Sequence, residues 1–221
     1  MLVGLTGRNA SGKSTFVEWF SAKGLRSVSC SDSIRAWLAE QGIDSTREAL
    51  IEGGRELRRQ GGGGVLAEML LEILSGEDAV VDSIRTPAEV EALREGGDFF
   101  LIEVRADQGA RWERMNQRGR SGDPIDKEVF LRQEEAEASS KDEAGQALDA
   151  TAEMADITVE NDGTLEGTGE EARGSVVESV SGAVIQADSD DTSPNIAFRY
   201  LVASSSHEHC DCLAEEHPEG A

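Results

Sequence analysis

Residues 4–15 read GLTGRNASGKST, and within them Gly7–Ser14 fits G-x-x-x-x-G-K-S. The stretch follows a short apolar run, Leu2–Leu5, and opens a helix-forming segment, Ser14–Lys23. Strand, glycine-rich turn and helix in that order make a phosphate-binding loop. Gly7 and Gly12 permit backbone conformations that aim successive N–H groups at phosphate oxygens. The helix N-terminus adds partial positive charge. Lys13 can reach the β- and γ-phosphates, and the Ser14 hydroxyl can ligate Mg2+. The expected ATP-binding set is therefore Gly7, Arg8, Asn9, Ala10, Ser11, Gly12, Lys13, Ser14 and Thr15. Such a loop demands a nucleotide but fixes no reaction, so the class of protein must be read from the rest of the chain.

The chain of 221 residues is long enough for one α/β domain with a remainder. No apolar run approaches the ~18 residues of a membrane span. MLVGLTG already reads as a strand, which leaves no room for a cleaved signal, so a cytoplasmic protein is expected. The net charge of -23 argues against generic binding to nucleic acid or anionic membranes, which needs a basic face. Of the 21 basic residues only four are lysines: Lys13, Lys23, Lys127 and Lys141. An acidic, lysine-poor composition of this kind fits a salty, halophilic cytoplasm, where self-repulsion is screened; an ordinary acidic bacterial protein is the other reading. Cys30 stands far from Cys210 and Cys212, so the three cysteines form no disulfide framework.

Up to about residue 165 strand-like and helix-like segments alternate, as in a parallel sheet covered by helices. Strands are expected at Arg26–Ser29, Ala79–Asp82, Phe99–Val104 and Ile157–Val159. Helices are expected at Ser33–Glu40, from Ser45 or Thr46 to about Arg59, at Val65–Leu74 and from Pro87 to near Gly96. A helix carrying Arg111 and Arg114 and two further charged helices follow FFLIEV. Phe16, Trp19, Phe20 and Trp37 fall on helical periods and read as core, and Cys30 as a buried thiol. There is no N-K-x-D segment for reading guanine. LSG at Leu74–Gly76 continues as Glu-Asp rather than as an ABC signature. What the chain does carry is arginines at the ends of successive strands, where ligands sit in an open α/β sheet.

Two of these strand ends resemble nucleoside monophosphate kinases. SCSDSIR (Ser29–Arg35) is similar to their second-strand turn, and VVDSIRTP (Val80–Pro87) looks like their D-G-x-P-R-T segment. The resemblance implies that Asp32 and Arg35 bind the acceptor, that Asp82 lies near Mg2+, and that Arg85 contacts the acceptor phosphate. Guanidinium groups there would offset the repulsion between two anionic substrates. RWERMNQRGRSGDP, with Arg111, Arg114, Arg118 and Arg120, resembles the arginine-bearing lid of the same kinases. For Arg111, pairing with a nearby carboxylate such as Glu113 is the other reading. MADITVENDGTLE (Met154–Glu166), together with the opening loop, resembles dephospho-CoA kinases, which would place Asn161 and Gly163 near the donor adenine. A subgroup with S-D-x-I-R, D-x-I-R-x-P-x-E-V and N-D-G-T-L-E is most similar. It occurs alone in archaea and as the N-terminal domain of some deoxycytidylate deaminases.

The resemblance covers about residues 1–168 and implies a three-layer α/β P-loop kinase fold with a helical acceptor-binding region and a lid. Lys13, Asp32, Asp82, Arg114 and Arg118 would be the catalytic set, with ATP and Mg2+ as cofactors and a small nucleotide as acceptor. Asp32 would be the base for a hydroxyl acceptor, and for a phosphate acceptor it would orient Arg35. The rival is a non-catalytic nucleotide-sensing module derived from the deaminase fusions. Acceptor identity and oligomeric state stay open. Residues 169–221 read as an acidic, poorly ordered linker and tail. IAFRYLVASSSHEHC there is similar to the first helix of the fused deaminase domain, but the catalytic H-A-E and P-C-x-x-C are missing. His207, His209, Cys210, Cys212 and His217 crowd together without matching a standard zinc module.

Overall fold

The computed structural model describes residues 1–120, 123–138 and 144–161. Gly163, the 169–221 tail with its deaminase-like segment, and the histidine–cysteine cluster lie outside the described residues. In chain order the elements are β1 (Leu2–Thr6), α1 (Lys13–Ala22), β2 (Arg26–Ser29), α2 (Cys30–Glu40), α3 (Arg47–Gly61) and α4 (Val65–Leu74). There follow β3 (Ala79–Asp82), α5 (Pro87–Glu95), β4 (Phe99–Arg105), α6 (Gln108–Arg118), α7 (Lys127–Ala138), α8 (Leu148–Ala152) and β5 (Ile157–Glu160).

The five strands form one all-parallel sheet in the order β2-β3-β1-β4-β5. Both faces of the three inner strands β3, β1 and β4 are buried, because their consecutive apolar residues serve opposite layers, while the edge strands β2 and β5 are partly exposed. Leu2, Ala79, Val81, Phe99 and Leu101 face one layer, which they share with Ile34, Leu38, Leu66, Leu70 and Val90 of α2, α4 and α5. Val3, Leu5, Val80, Phe100, Ile102 and Val104 face the other, where Phe16 and Phe20 of α1 are wholly buried. Each such aromatic contributes about 1.5–3 kcal/mol by leaving water, which clamps α1 and the loop ahead of it to the sheet. Trp19 and Trp37 pack at the edges of the two layers. β1 is central, with β3 on one side and β4 on the other, so the chain changes direction across the sheet there. The carboxyl end of such a strand is where ligands bind in open α/β sheets.

Local signals set the helix ends. Thr86 and Glu89 form a capping box with Pro87 in the first turn of α5, and Thr46 caps α3. α2 starts at Cys30 instead of the expected Ser33. The reason is a second capping box: the Ser29 side chain accepts from Ser31 N, and Asp32 accepts from Ser29 N at 2.9 Å. Arg58 of α3 reaches Glu89 of α5 in an ion pair of 2.7 Å that is almost wholly buried. The other Glu89 oxygen accepts from Arg85 N at 2.7 Å and Thr86 N at 3.2 Å, so the turn carrying Arg85 is fixed to this carboxylate.

Candidate functional site

The phosphate loop leaves β1 and enters α1 through two left-handed glycines, Gly7 (φ 129°) and Gly12 (φ 101°), with Ala10 also at positive φ. A Cβ on Gly12 would overlap the Asn161 side-chain amide, which donates to Ser11 O at 2.8 Å. Asn161 N in turn donates to Arg105 O at 2.7 Å, so the residue after β5 closes one side of the loop. Lys13 is buried, and its ammonium donates to two carbonyls of its own loop, Gly7 O at 2.7 Å and Arg8 O at 2.9 Å. Burial chiefly, then the Arg85 charge, lower its pKa from 10.5 to about 8, against an opposing pull from Asp82. Asp82 ends β3 beside Ser29 of β2, and its buried Oδ1 has no hydrogen-bond partner among the described residues. An orphaned carboxylate oxygen of this kind suits a cation.

Next to the loop lies a cavity of about 210 Å³ between α2, α3 and α4. Its floor is apolar, with Cys30, Ile34, Leu50, Ile51 and Leu66, and its rim holds Arg35, Arg47, Arg58 and Arg85. Burial pushes the Cys30 thiol well above its ordinary pKa, with the Glu89 charge adding to the rise, so it is an inert part of the floor. Arg35 Nη1 donates to Asp32 Oδ1 at 2.9 Å and to Ser31 Oγ at 2.8 Å. Asp32 thus both caps α2 and holds Arg35. Arg85 touches Asn9 Oδ1 and Gln146 Oε1 at 3.3 Å each and Glu137 Oε2 at 3.4 Å. Asn9 belongs to the phosphate loop, so donor loop and arginine rim are in direct contact.

The arginines expected to form a lid divide into different roles. Arg111 is buried in a bidentate pair with Glu134 of α7 and rests on Phe130, so it joins α6 to α7. Its partner is neither a substrate pocket nor the neighbouring Glu113, since a buried guanidinium needs a buried carboxylate. Arg114 donates to Asn161 O at 2.6 Å and Ala10 O at 3.4 Å, gripping the phosphate loop from the side of β5. Arg118 makes two 2.9 Å bonds to Asp123. Burial pulls the Asp123 carboxyl upward, but the Arg118 bond and charge, the Arg120 amide and Arg47 outweigh it and leave it below the usual range. Arg47 stands 3.9 Å from Asp123 and 3.0 Å from Glu137, linking the Arg118 side to the cavity rim.

Arg47, Arg58, Glu137 and Gln146 also line the candidate site, and sequence reasoning did not single them out. Arg47 carried one usable signal, its place in the first turn behind the Thr46 cap. Glu137 carried none, because QEEAEA reads as a solvated helix face. A second cavity of about 440 Å³ lies among Arg8, Glu103, Arg105, Arg111 and Asp149. Its arginines are already paired, Arg8 with Asp149 at 2.7 Å, Arg105 with Glu103 at 2.9 Å and Arg111 with Glu134. The arginines of the 210 Å³ cavity are paired as well; what sets that cavity apart is that its lining brings Arg35 and Arg85 together with Asn9 of the phosphate loop over an apolar floor.

A phosphate loop on the central strand, flanked by a covered parallel sheet and an arginine-rimmed cavity, defines the α/β P-loop kinase fold. The chain belongs to the family described as AAA domain, whose model matches residues 3–140, and to the UPF0200 proteins. It is 33% identical to the UPF0200 protein of Pyrococcus abyssi over 145 residues, which is 62% of this chain and 78% of that one. With a UPF0200/UPF0201 protein of Archaeoglobus fulgidus the identity is 35% over 172 residues, 75% of this chain but only 51% of that longer protein. Among solved structures, TT1252 from Thermus thermophilus matches with a TM-score of 0.50 at 22% identity, over 87% of this chain and 98% of that one. At that identity the likeness is one of fold. Among the described residues no helix is long and apolar enough to cross a membrane.

Proposed function

We propose that this chain, over about residues 1–168, is a kinase that transfers the ATP γ-phosphoryl group to a small nucleotide held in the arginine-rimmed cavity. The carrying observation is the contact between the two halves of the site, Arg85 to Asn9 of the phosphate loop at 3.3 Å. Lys13 and the loop amides hold the donor phosphates. Ser14 and Asp82 would hold Mg2+, which neutralises charge on the transferring group, and the partnerless Asp82 oxygen fits that role. Arg35 and Arg85 hold the acceptor's anionic group, and the apolar floor takes its flat part. Arg118, one ion pair away from Arg47, is placed to offset charge as the phosphoryl group moves. Asp32 is the orienter of Arg35 in this reading, because both its oxygens are engaged by Ser29 N and Arg35.

The test is to incubate the protein in high salt with Mg-ATP and a panel of ribo- and deoxyribonucleoside monophosphates and dephospho-CoA, and to follow ADP. At least one phosphate-bearing acceptor should raise ADP well above the acceptor-free rate. If ATP binds and no acceptor does so, the nucleotide-sensing module replaces the kinase.

A further inference from the structure

Glu137 lies in the last turn of α7, and its side chain is largely buried at the mouth of the cavity. Its two oxygens are shared among three donors. Oε1 accepts from Arg47 Nη2 at 3.0 Å. Oε2 accepts from Asn9 Nδ2 at 2.8 Å and from Arg85 Nη1 at 3.4 Å. Two guanidinium groups from separate elements and one amide of the phosphate loop therefore converge on a single planar anion. That donor set has the charge and fork geometry of a site for a phosphate or carboxylate ligand. Arginines so close together would repel without an anion between them, and the protein supplies the anion from its own chain.

We propose that Glu137 is an internal placeholder for the anionic group of the acceptor, which binds by taking Arg47, Arg85 and Asn9 from this carboxylate. The inference rests on reading the cavity as the acceptor site. Exchange makes Glu137 a specificity-determining residue. A ligand carboxylate offers the arginines one charge, the same as Glu137, and gains nothing by replacing it. A phosphomonoester dianion offers about two charges and three acceptor oxygens, and wins the exchange. Exchange also cuts the Glu137–Asn9 tie between α7 and the phosphate loop while leaving the Arg8 bond to Glu134 O at 3.2 Å, so arrival of the acceptor loosens the last turn of α7 from the donor side.

The experiment compares the full chain with Glu137→Gln, Glu137→Asp and the double variant Glu137→Gln/Arg85→Met, using inorganic phosphate as the probe. Mg-ADP at saturation fills the phosphate loop, and calorimetry reads phosphate affinity. Glu137→Gln should bind phosphate about tenfold tighter, a gain typical of removing one competing charge pair. Glu137→Asp should stay near the unmutated protein, and adding Arg85→Met should abolish the gain. Acetate should bind only to the Gln variant. Phosphate binding that is unchanged or weaker in Glu137→Gln overturns the proposal, since a merely structural carboxylate would give that result. Should the Gln variant fail to fold, hydrogen exchange of α7 in the unmutated protein decides. Phosphate should speed exchange there, and slowed or unchanged exchange overturns exchange-driven release. These readouts are of binding, so a failed kinase assay would remove the catalytic reading without being mistaken for a failure here.

Discussion

Raising the pH should weaken ATP binding over a window set by Lys13. In the free protein burial, then the charge of Arg85, hold its pKa at about 8 instead of 10.5. Binding ATP replaces the carbonyls of Gly7 and Arg8 around the ammonium with phosphate anions, which favour the charged lysine and return its pKa toward 10.5. Below about pH 8 the lysine is protonated with and without nucleotide, and affinity is flat. Between about 8 and 10.5 the free lysine is neutral and the bound one charged, so binding takes up a proton and affinity falls as the pH rises. A window of about 2.5 pH units is worth at most ~3.4 kcal/mol, or about 300-fold in Kd. Between roughly pH 7 and pH 9 the loss should be about tenfold. Calorimetry in two buffers of different ionisation enthalpy measures both the affinity and the proton taken up. Lys13→Arg, which keeps its charge throughout, should flatten the profile. A Kd that is constant from about pH 7 to pH 9.5, with heats independent of the buffer, would refute the linkage.

Four further outcomes follow from the geometry. Glu89→Gln should cost about 3–5 kcal/mol in chemical denaturation, because it strands Arg58 in a buried site, while Arg58→Met/Glu89→Gln should recover a large part of it, the Gln oxygen still serving Arg85 N and Thr86 N; a loss under about 1 kcal/mol would remove the pair as the anchor of the Arg85 turn. Gly12→Ala should lower ATP affinity by at least about tenfold with little change in far-UV circular dichroism, since the methyl meets the Asn161 amide and φ is +101°; undiminished binding would contradict the loop geometry. Asp32→Asn should raise the acceptor KM severalfold and leave kcat within about threefold, whereas a kcat loss of ~10² or more would make Asp32 a base. Thermal melting in rising KCl should show Tm increasing up to about 1 M, where the Debye length is about 3 Å; a flat or falling Tm would count against a halophilic protein.

The fold was legible in the sequence because the inner strands are buried on both faces and the helices are punctuated. AVVD and FFLIEV have no polar alternation to mislead, and Thr86-Pro87, Thr46 and Gly61–Gly64 mark helix ends that the structure places within a residue or two. The start of α2 was missed because SCSD reads equally as a turn and as a capping box, and only the Ser29–Asp32 bond decides between them. The donor loop was legible for a different reason: its residues are contiguous. The cavity was half legible, since Arg35 and Arg85 follow strands directly, while Arg47 and Glu137 reach it from α3 and α7, 90 residues apart in sequence. No one-dimensional pattern marks such a pair. Arg111 misled for a related reason: four arginines in ten residues share a stretch of chain but not a direction, and its buried partner Glu134 comes from another helix.

The location of the charge explains how so acidic a chain can hold a polyanionic substrate. A net charge of -23 would repel ATP and a phosphate-bearing acceptor if it were spread evenly. Instead the four arginines of the rim, Lys13 and Arg118 gather round one strand end. All of these but Arg58 rest on a carboxylate or carbonyl that a phosphate can replace or reinforce: Arg35 on Asp32, Arg118 on Asp123, Arg47 and Arg85 on Glu137, and Lys13 on Gly7 and Arg8. Only Arg58 is committed, through Glu89, to holding the scaffold. Internal pairing offsets much of this charge, but Arg47 and Arg85 share one carboxylate and Lys13 rests on uncharged carbonyls, so the free site keeps a positive excess, and at the arginines substrate binding becomes a replacement of one anion by another. Arginine suits that exchange better than lysine, since its fork keeps its geometry and charge when partners change. The one lysine in the group is the one that burial can discharge, and that difference makes nucleotide binding sensitive to pH while acceptor binding is governed by Glu137.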